Sequence, residues 1–198
     1  FIVPSWHHLF NPFLHQPYWE MYYATNLRNS LNNQNIKFDI VIEDTRGNPD
    51  LINKVKEADY YIYWIFKTAD AIECFDYKRI LKSKFPKSMH IAGGTHVEKS
   101  QNECEEVFDS IIVGPGEQNF LNAINDNINR DLKKQYSQRW QECKFNDYSY
   151  PDRSFLSIEK IINKELFSPY GDLNGTMVYF SRGCIYKCAF CTLNVPGY

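Results

Sequence analysis

Three cysteines lie close together near the end of the 198-residue sequence, where Cys184, Cys188 and Cys191 follow a CxxxCxxC spacing. Thiolates bind zinc and iron–sulfur clusters, and three of them leave one metal position without a protein ligand. A structural zinc site uses four protein ligands, whereas a four-iron cluster held by three cysteines keeps one iron open to another molecule. The spacing therefore favours a 4Fe-4S cluster with an open iron.

Two other interpretations of these thiols stay open. Cys143 or a distant histidine would complete a zinc site, or the three cysteines are clustered by chance. Cys143 and the two remaining cysteines, Cys74 and Cys104, are scattered along the chain. We expect them to be buried and unreactive. Because the sequence carries no secretory pattern, we expect a reducing, cytoplasmic compartment.

The elements that would position the clustered thiols alternate between strands and helices. Patterns typical of strands occupy 1–3, 36–43, 58–66, 89–92 and 111–113. Helical patterns occupy 18–31, 49–56, 70–84 and 118–128. Such alternation predicts a doubly wound, parallel, five-stranded α/β sheet that is Rossmann-like and covers residues 1–129.

The chain beyond residue 129 is polar and rich in turns. Residues 130–175 indicate a linker with one short helix near 158–166. Residues 176–180 predict a fresh strand, and the cysteine loop follows it directly. We therefore expect an α/β domain, a linker, and the start of a truncated second domain at 176–198.

With Phe190 directly before the last cysteine, the motif resembles that of the radical S-adenosylmethionine enzymes, whose cluster loop follows the first strand of a barrel. The resemblance implies that the open iron binds S-adenosylmethionine and that the reduced cluster cleaves it to a 5′-deoxyadenosyl radical. It also implies that Phe190 packs beside the adenine, and that an electron donor such as flavodoxin or ferredoxin is needed. Ile185 stands where this family usually has proline.

The first domain resembles the cobalamin-binding domain of cobalamin-dependent radical enzymes. Glycine turns follow two neighbouring predicted strands, and residues 150–156 are similar to the linker of that class. Glycine would let backbone approach a flat corrin ring, but glycines also end strands in any doubly wound sheet. The resemblance implies that cobalamin contacts Gly93, Gly94, His96, Gly114, Gly116 and Glu117.

The histidines of this domain do not match the best-known cobalamin sites, which carry a D-x-H-x-x-G motif after the first strand. His7, His8 and His15 follow the first predicted strand without that motif. The resemblance therefore implies cobalamin without a histidine ligand, as is usual in the radical subgroup. We expect these three residues to be loop or surface histidines.

Together the two resemblances imply a cobalamin-dependent radical S-adenosylmethionine enzyme. It would transfer a methyl group from methylcobalamin to an unactivated carbon of a small-molecule or natural-product substrate, although a cyclisation or rearrangement is equally compatible. A methylthiotransferase is a weaker alternative, because its first domain binds a second cluster through cysteines at strand ends. No cysteine follows the first three predicted strands. A non-catalytic cobalamin-binding module is the third possibility.

Charge and hydropathy argue against two classes of partner. The chain has 22 Lys and Arg against 24 Asp and Glu, a net charge of -2, so no overall positive field would attract nucleic acid. The longest apolar run is far shorter than the roughly 20 residues that cross a bilayer. We expect neither a nucleic-acid nor a membrane partner.

Overall fold

The computed structural model describes residues 1–162 and 175–180, together with Tyr186 and Cys188. In this part of the chain six strands form one parallel sheet, which confirms the predicted α/β class. The strands are β1 (Ile2–Val3), β2 (Glu43–Asp44), β3 (Tyr60–Trp64), β4 (Met89–Gly93), β5 (Ser110–Val113) and β6 (Gln135–Ser137). Their order across the sheet is β2-β1-β3-β4-β5-β6.

The sheet has six strands rather than the predicted five, because β6 lies in the segment predicted as a linker. Tyr136 pairs with Ile112 of β5 and is buried, and its hydroxyl donates a hydrogen bond to Asp126 at 2.8 Å. The strand has three residues and a single buried ring, so its sequence is too short to show the alternation of apolar and polar residues that identifies a strand. The sheet therefore extends beyond residue 129 to Ser137.

Of the predicted strand 36–43, only the end pairs with a neighbour. Glu43 and Asp44 lie beside Ile2 and Val3, while the residues before them form no strand. The apolar members of the alternation still pack on the core as partly buried side chains. Burial alone can therefore produce the alternating pattern at a sheet edge, where β1 offers only two residues for pairing.

The helices predicted at 18–31, 70–84 and 118–128 are confirmed, whereas two short helices between β4 and β5 were not predicted. The described helices are α1 (Tyr18–Asn33), α2 (Thr68–Lys84), α3 (Thr95–Lys99), α4 (Gln101–Val107), α5 (Gly116–Ile128) and α6 (Ile158–Ile161). The helix predicted at 49–56 is a 3₁₀ helix over Pro49–Lys54, and the Asn48 side chain accepts the Asp50 N–H at its start. No helix among the described residues is long and apolar enough to cross a membrane.

Helices cover both faces of the sheet. On one face α1 and α5 pack together. The centroid of the Tyr23 ring lies 4.3 Å from that of Trp64 and 5.4 Å from that of Phe120. On the other face α2, the 3₁₀ helix, α3 and α4 enclose a second cluster that includes Tyr63 and Phe108. This arrangement buries β3 on both sides, as its apolar sequence predicts.

The strand predicted at 176–180 is not confirmed: among the described residues, these positions pair with no strand. Side chains form hydrogen bonds with backbone groups that would pair with a neighbouring strand in a sheet. Gln16 Oε1 accepts the Met177 N–H at 3.1 Å, and Arg153 donates to the Met177 carbonyl at 2.7 Å. The segment is therefore anchored to the first domain through side chains rather than through a sheet.

Candidate functional site

The candidate site is the edge of the sheet at which its parallel strands end. The chain passes from β1 outward to β2 and then crosses back over β1 to β3. The topological switch point of the sheet therefore lies beside β1, between β1 and β3. In open α/β sheets the ligand crevice lies at this point, beyond the carboxyl ends of the strands. The loops after β1, β3, β4 and β5 meet there, and they contain most of the residues discussed below.

Two of the predicted glycine contacts have a structural reason within the fold. Gly94 has φ +112°, and a Cβ there would lie 2.4 Å from the Ile65 carbonyl oxygen. Gly114 has φ +94°, and a Cβ there would lie 2.1 Å from the Gln138 carbonyl oxygen. Because the chain's own backbone fills this space, glycine is required at both positions with or without a ligand.

The other two glycines are also closely packed. A Cβ at Gly93 would lie 2.9 Å from the Trp64 ring, and one at Gly116 would lie 2.7 Å from the Phe120 ring. Gly93 pairs with Ile112, so the turns after β4 and β5 are neighbours. The turns lie together as the sequence predicts, but their glycines alone do not indicate a corrin.

The predicted contacts His96 and Glu117 are buried rather than extended above the sheet edge. His96 Nδ1 lies 3.2 Å from Thr68 Oγ1, which links the turn after β4 to the start of α2. The Glu117 carboxylate accepts a hydrogen bond from the Tyr22 hydroxyl at 3.0 Å, on the α1 side of the sheet. Both side chains therefore hold the loops of the edge in position.

A buried donor and a buried acceptor lie unpaired near the switch point. The Trp6 indole N–H follows β1, and Asp70 Oδ1 lies in the first turn of α2. Burial raises the pKa of Asp70, while the charge of Lys67 and the nearby Trp6 indole oppose that rise. A carboxamide both donates and accepts, so it would satisfy both groups. The corrin periphery carries such carboxamides, and the pair fits them.

A buried ion pair fixes the loop after β1. Arg46 donates to both carboxylate oxygens of Asp44, at 2.8 and 2.9 Å, and to the backbone carbonyls of His15 and Lys160. Burial alone would raise the pKa of Asp44, but the hydrogen bonds and charge of Arg46 outweigh burial and hold it low. Next to this pair, burial raises the pKa of Glu20 to about 7.

A second polar network surrounds His7, on the same loop. Nδ1 of His7 lies 2.8 Å from Ser5 Oγ and 3.6 Å from Glu73 Oε1. Glu73 also accepts the Ser5 N–H at 3.1 Å and the Tyr77 hydroxyl at 2.6 Å. His7 is a loop histidine as predicted, with a side chain 56% exposed, but its ring is held at one nitrogen.

The cysteine motif lies only partly within the described residues. Cys188 is exposed, whereas Cys184, Cys191 and Phe190 lie outside the described residues. Residues 175–180, which precede the motif, lie beside α1, and the centroid of the Tyr179 ring lies 4.5 Å from that of Tyr18. Because α1 begins at the carboxyl edge of the sheet, residues 177–180 lie near this edge.

A cavity of about 230 Å³ opens between α1, residues 145–150 and residues 179–180. Its walls are mostly aromatic, and they include Tyr18, Trp19, Tyr22, Tyr148, Tyr179 and Phe180. At about 230 Å³ the cavity is smaller than typical small-molecule pockets, which measure about 300 to 1,000 Å³. The cavity lies beside the segment that leads to the cysteine motif.

The scattered cysteines are buried, as predicted. Burial raises the pKa of Cys104 to about 11 and raises that of Cys74 well above its usual range, so both stay protonated at neutral pH. Among the described residues, no group of three or more His, Cys, Asp and Glu side chains is arranged to hold a metal ion.

Three residues of the edge were not singled out by the sequence: Trp6, Asp70 and Gln16. Two of them had a usable signal, because Trp6 directly follows a strand and Asp70 opens the helix after the central strand. Gln16 had none, since its partners Ile161, Thr176 and Met177 are distant in the sequence. Only the folded chain brings these groups together.

No family model matches the sequence, and no curated protein matches it. Among solved structures, the chain is similar to the N-terminal domain of a hypothetical protein of Thermotoga maritima, with 21% identity and a TM-score of 0.43. The match covers 60% of this chain and 91% of that chain. At this score the similarity supports no statement about the present chain.

Proposed function

We propose that the chain belongs to a cobalamin-dependent radical S-adenosylmethionine enzyme that transfers a methyl group to an unactivated carbon of a small molecule. The observation that carries the proposal is the CxxxCxxC spacing of Cys184, Cys188 and Cys191 with Phe190 before the last thiol. Support comes from the element before it, a parallel α/β sheet with a polar carboxyl edge at its switch point.

Each proposed cofactor has its own set of residues. The three thiolates hold a 4Fe-4S cluster, and Phe190 packs on the adenine of S-adenosylmethionine. Cobalamin would lie over the turns after β4 and β5, at Gly93, Gly94, Gly114 and Gly116, where the chain offers mainly backbone. The buried side chains of His96 and Glu117 would hold these turns in position. Trp6 and Asp70 bind a corrin carboxamide, which pairs the buried donor and acceptor.

The chain's own contribution is to bring these groups to one place. When bound, the cluster and S-adenosylmethionine supply a radical that removes a substrate hydrogen, and cobalamin supplies the methyl group. Gln16, in the loop after β1, bonds Thr176 and Met177, so the route to the cysteines starts at the cobalamin edge. The aromatic cavity beside Tyr179 is the proposed substrate recess.

The alternatives are less well supported. A methylthiotransferase needs a second cluster in its first domain, yet Cys74 and Cys104 are buried with raised pKa values. A non-catalytic cobalamin module remains the competing proposal, because it shares the first domain and differs only in the function of the cysteines. Cluster binding separates the two.

The test is anaerobic reconstitution of the full-length protein with iron, sulfide and hydroxocobalamin. We expect about four irons per chain and a reduced-cluster electron paramagnetic resonance signal that changes when S-adenosylmethionine is added. Cys188→Ala should abolish both results. Cys104→Ala, which removes a buried thiol outside the motif, is the matched control and should retain both.

The outcomes separate the two halves of the proposal. Zinc in place of iron, or a cluster signal that ignores S-adenosylmethionine, would contradict the radical chemistry. A normal cluster without cobalamin binding would contradict the cobalamin half alone. Cobalamin binding without a cluster would favour the non-catalytic module.

A further inference from the structure

We propose that the aromatic cavity beside Tyr179 binds a methylated ammonium group, so that the substrate of the proposed enzyme is a cation. The inference rests on the proposed function for the reaction, and it adds the chemical class of the substrate. The observation behind it is the set of packed rings that line the cavity. The acidic groups next to these rings support it.

One wall of the cavity is a cluster of rings from α1 and residues 177–180. The centroid of the Tyr179 ring lies 4.5 Å from that of Tyr18 and 5.3 Å from that of Trp19. The centroids of Trp19 and Tyr22 lie 5.8 Å apart, and their ring planes meet at 86°. Because each ring packs on its neighbours, this wall is held in shape before a ligand enters.

The rest of the lining comes from residues 145–150, which add the rings of Phe145, Tyr148 and Tyr150. Tyr150 is 71% exposed and Phe180 is 90% exposed, so the cavity is open to solvent at these two rings. Trp and Tyr rings attract a cation placed over their faces, and the attraction is stronger when the cation has lost its water. Ammonium groups that carry methyl groups are the usual ligands of such aromatic sites.

Acidic groups lie next to these rings. Tyr22 donates a hydrogen bond to the Glu117 carboxylate at 3.0 Å. Burial raises the pKa of Tyr148 to about 12, and the acidic groups Cys143, Glu117 and Asp147 act on it in the same direction. Such an environment attracts a cation and repels an anion.

The neighbouring basic groups do not remove this preference. No Lys, Arg or His is among the described residues that line the cavity. Arg28, further along α1, pairs with the Asp152 carboxylate at 2.6 Å. Lys144 and Asp147 are both exposed, so water screens their opposite charges, whereas the Glu117 carboxylate is buried and is screened less.

The volume of the cavity limits what it can hold. At about 230 Å³ it is smaller than the pockets of about 300 to 1,000 Å³ that enclose whole small molecules. It therefore suits a head group such as trimethylammonium. The rest of the substrate, with the carbon that receives the methyl group, would lie outside the cavity.

The test compares choline with its neutral isostere neopentyl carbinol, in which a carbon atom replaces the charged nitrogen. The binding of each compound to the full-length protein is measured by calorimetric titration, before and after reconstitution with cluster and cobalamin. We expect choline to bind about fivefold more tightly than the isostere in both forms. Equal or tighter binding of the isostere, or no binding of choline, would overturn the proposal.

Variants of the lining locate the bound choline. Trp19→Leu and Tyr179→Leu each remove one ring and should weaken choline binding by about fivefold, whereas Tyr179→Phe keeps the ring and should bind choline normally. Phe10→Leu is the matched control, because Phe10 is a fully exposed ring outside the cavity. Tyr179 lies outside the sheet and the helices, so Tyr179→Leu decides the question if Trp19→Leu fails to fold. Unchanged choline affinity in Tyr179→Leu would contradict binding at this cavity.

The results separate this inference from the proposed function, because choline binding requires neither iron nor cobalt. A protein that assembles both cofactors but does not bind choline would keep the proposed function and exclude an ammonium substrate. A protein that binds choline at the cavity but assembles no cluster would lose the proposed function and keep the ammonium site.

Discussion

The carboxyl groups of Glu20, Asp44 and Asp70 are buried near the carboxyl edge of the sheet. Of these three described carboxyl groups, Asp44 alone forms ion pairs, with Arg46 at 2.8 Å and with Lys160 at 3.4 Å. Burial raises the pKa values of the other two, because the folded chain offers them less solvation than water does. The fold therefore keeps poorly solvated acids next to the loops that we assign to ligand binding.

The destabilisation caused by burying an ionised carboxyl group can be measured at Glu20. Its pKa rises from 4.5 to about 7 on folding, so between these values the folded state binds more protons than the unfolded state. Stability must then fall as pH rises from 4.5 to 7. Glu20→Gln removes this dependence and should gain stability over the natural protein, up to about 3 kcal/mol above pH 7.

The measurement is urea unfolding of both proteins at a series of pH values. Only the difference between them is informative, because His90 acts in the opposite direction. Burial lowers its pKa to about 4, so its contribution to stability rises with pH between 4 and 6.5. A stability difference that does not vary with pH would show that Glu20 is not titrating in a buried site.

At the scale of elements, the main feature is the docking of the segment 148–156 along α1. Asn26, buried in α1, exchanges two hydrogen bonds with the backbone of Ser149, at 2.8 and 3.1 Å. Thr25 accepts the Asp152 N–H at 2.7 Å, and Arg28 pairs with the Asp152 carboxylate at 2.6 Å. The predicted linker is thus a fixed part of the first domain at this point.

Asn26→Ala should release this segment. The Ser149 N–H and carbonyl would lose their partners, so amide exchange at Ser149 should quicken by at least tenfold, which corresponds to about 1.4 kcal/mol of local opening. Asn29→Ala is the matched control, because Asn29 makes only an exposed side-chain bond to Ser149 Oγ at 3.2 Å. Equal exchange rates in the two variants would contradict a backbone clamp at Asn26.

The elements also show how far the sequence could predict this structure. The helix α1, with apolar residues at helical spacing, and the strand β3, a nearly continuous apolar run, appear where predicted, because their own apolar pattern decides their structure. The strand β6 was not predicted, because the ring of Tyr136 is its one buried side chain and gives no repeating pattern. The strand predicted at 176–180 is not confirmed by the described residues, in which Gln16 and Arg153 bond the backbone of Met177.

The candidate site likewise contains some features that the sequence predicts and others that it does not. The glycine turns are visible in the sequence because they directly follow apolar strands. The pairing of Ser5 and His7 with Glu73 is not visible, because Glu73 comes from α2 and meets the loop only after folding. Contacts between distant segments carry no local pattern, so the sequence does not reveal the network around His7.

At the scale of the whole molecule, Gln16 joins three distant segments. Its amide nitrogen donates to the Ile161 carbonyl, and its Oε1 accepts from Thr176 Oγ1 at 2.9 Å and from the Met177 N–H at 3.1 Å. The side chain is buried, so each bond is shielded from water. This one amide therefore sets where the chain leaves the sheet edge towards the cysteine motif.

Gln16→Leu keeps the bulk of the side chain and removes all three bonds. The Met177 N–H and the Ile161 carbonyl would then be buried without partners, at a cost of about 1 to 3 kcal/mol each, and the segment should detach instead.

We expect faster amide exchange at residues 175–180, earlier proteolysis there, and a sheet that unfolds at nearly the same urea concentration. Gln118→Leu, at an exposed glutamine bonded only to Asn122, is the control and should leave exchange unchanged. If exchange at Met177 stayed slow in Gln16→Leu, Arg153 alone would hold the segment, because its guanidinium still binds the Met177 carbonyl. The Gln16 amide would then have no part in directing the chain towards the cysteines.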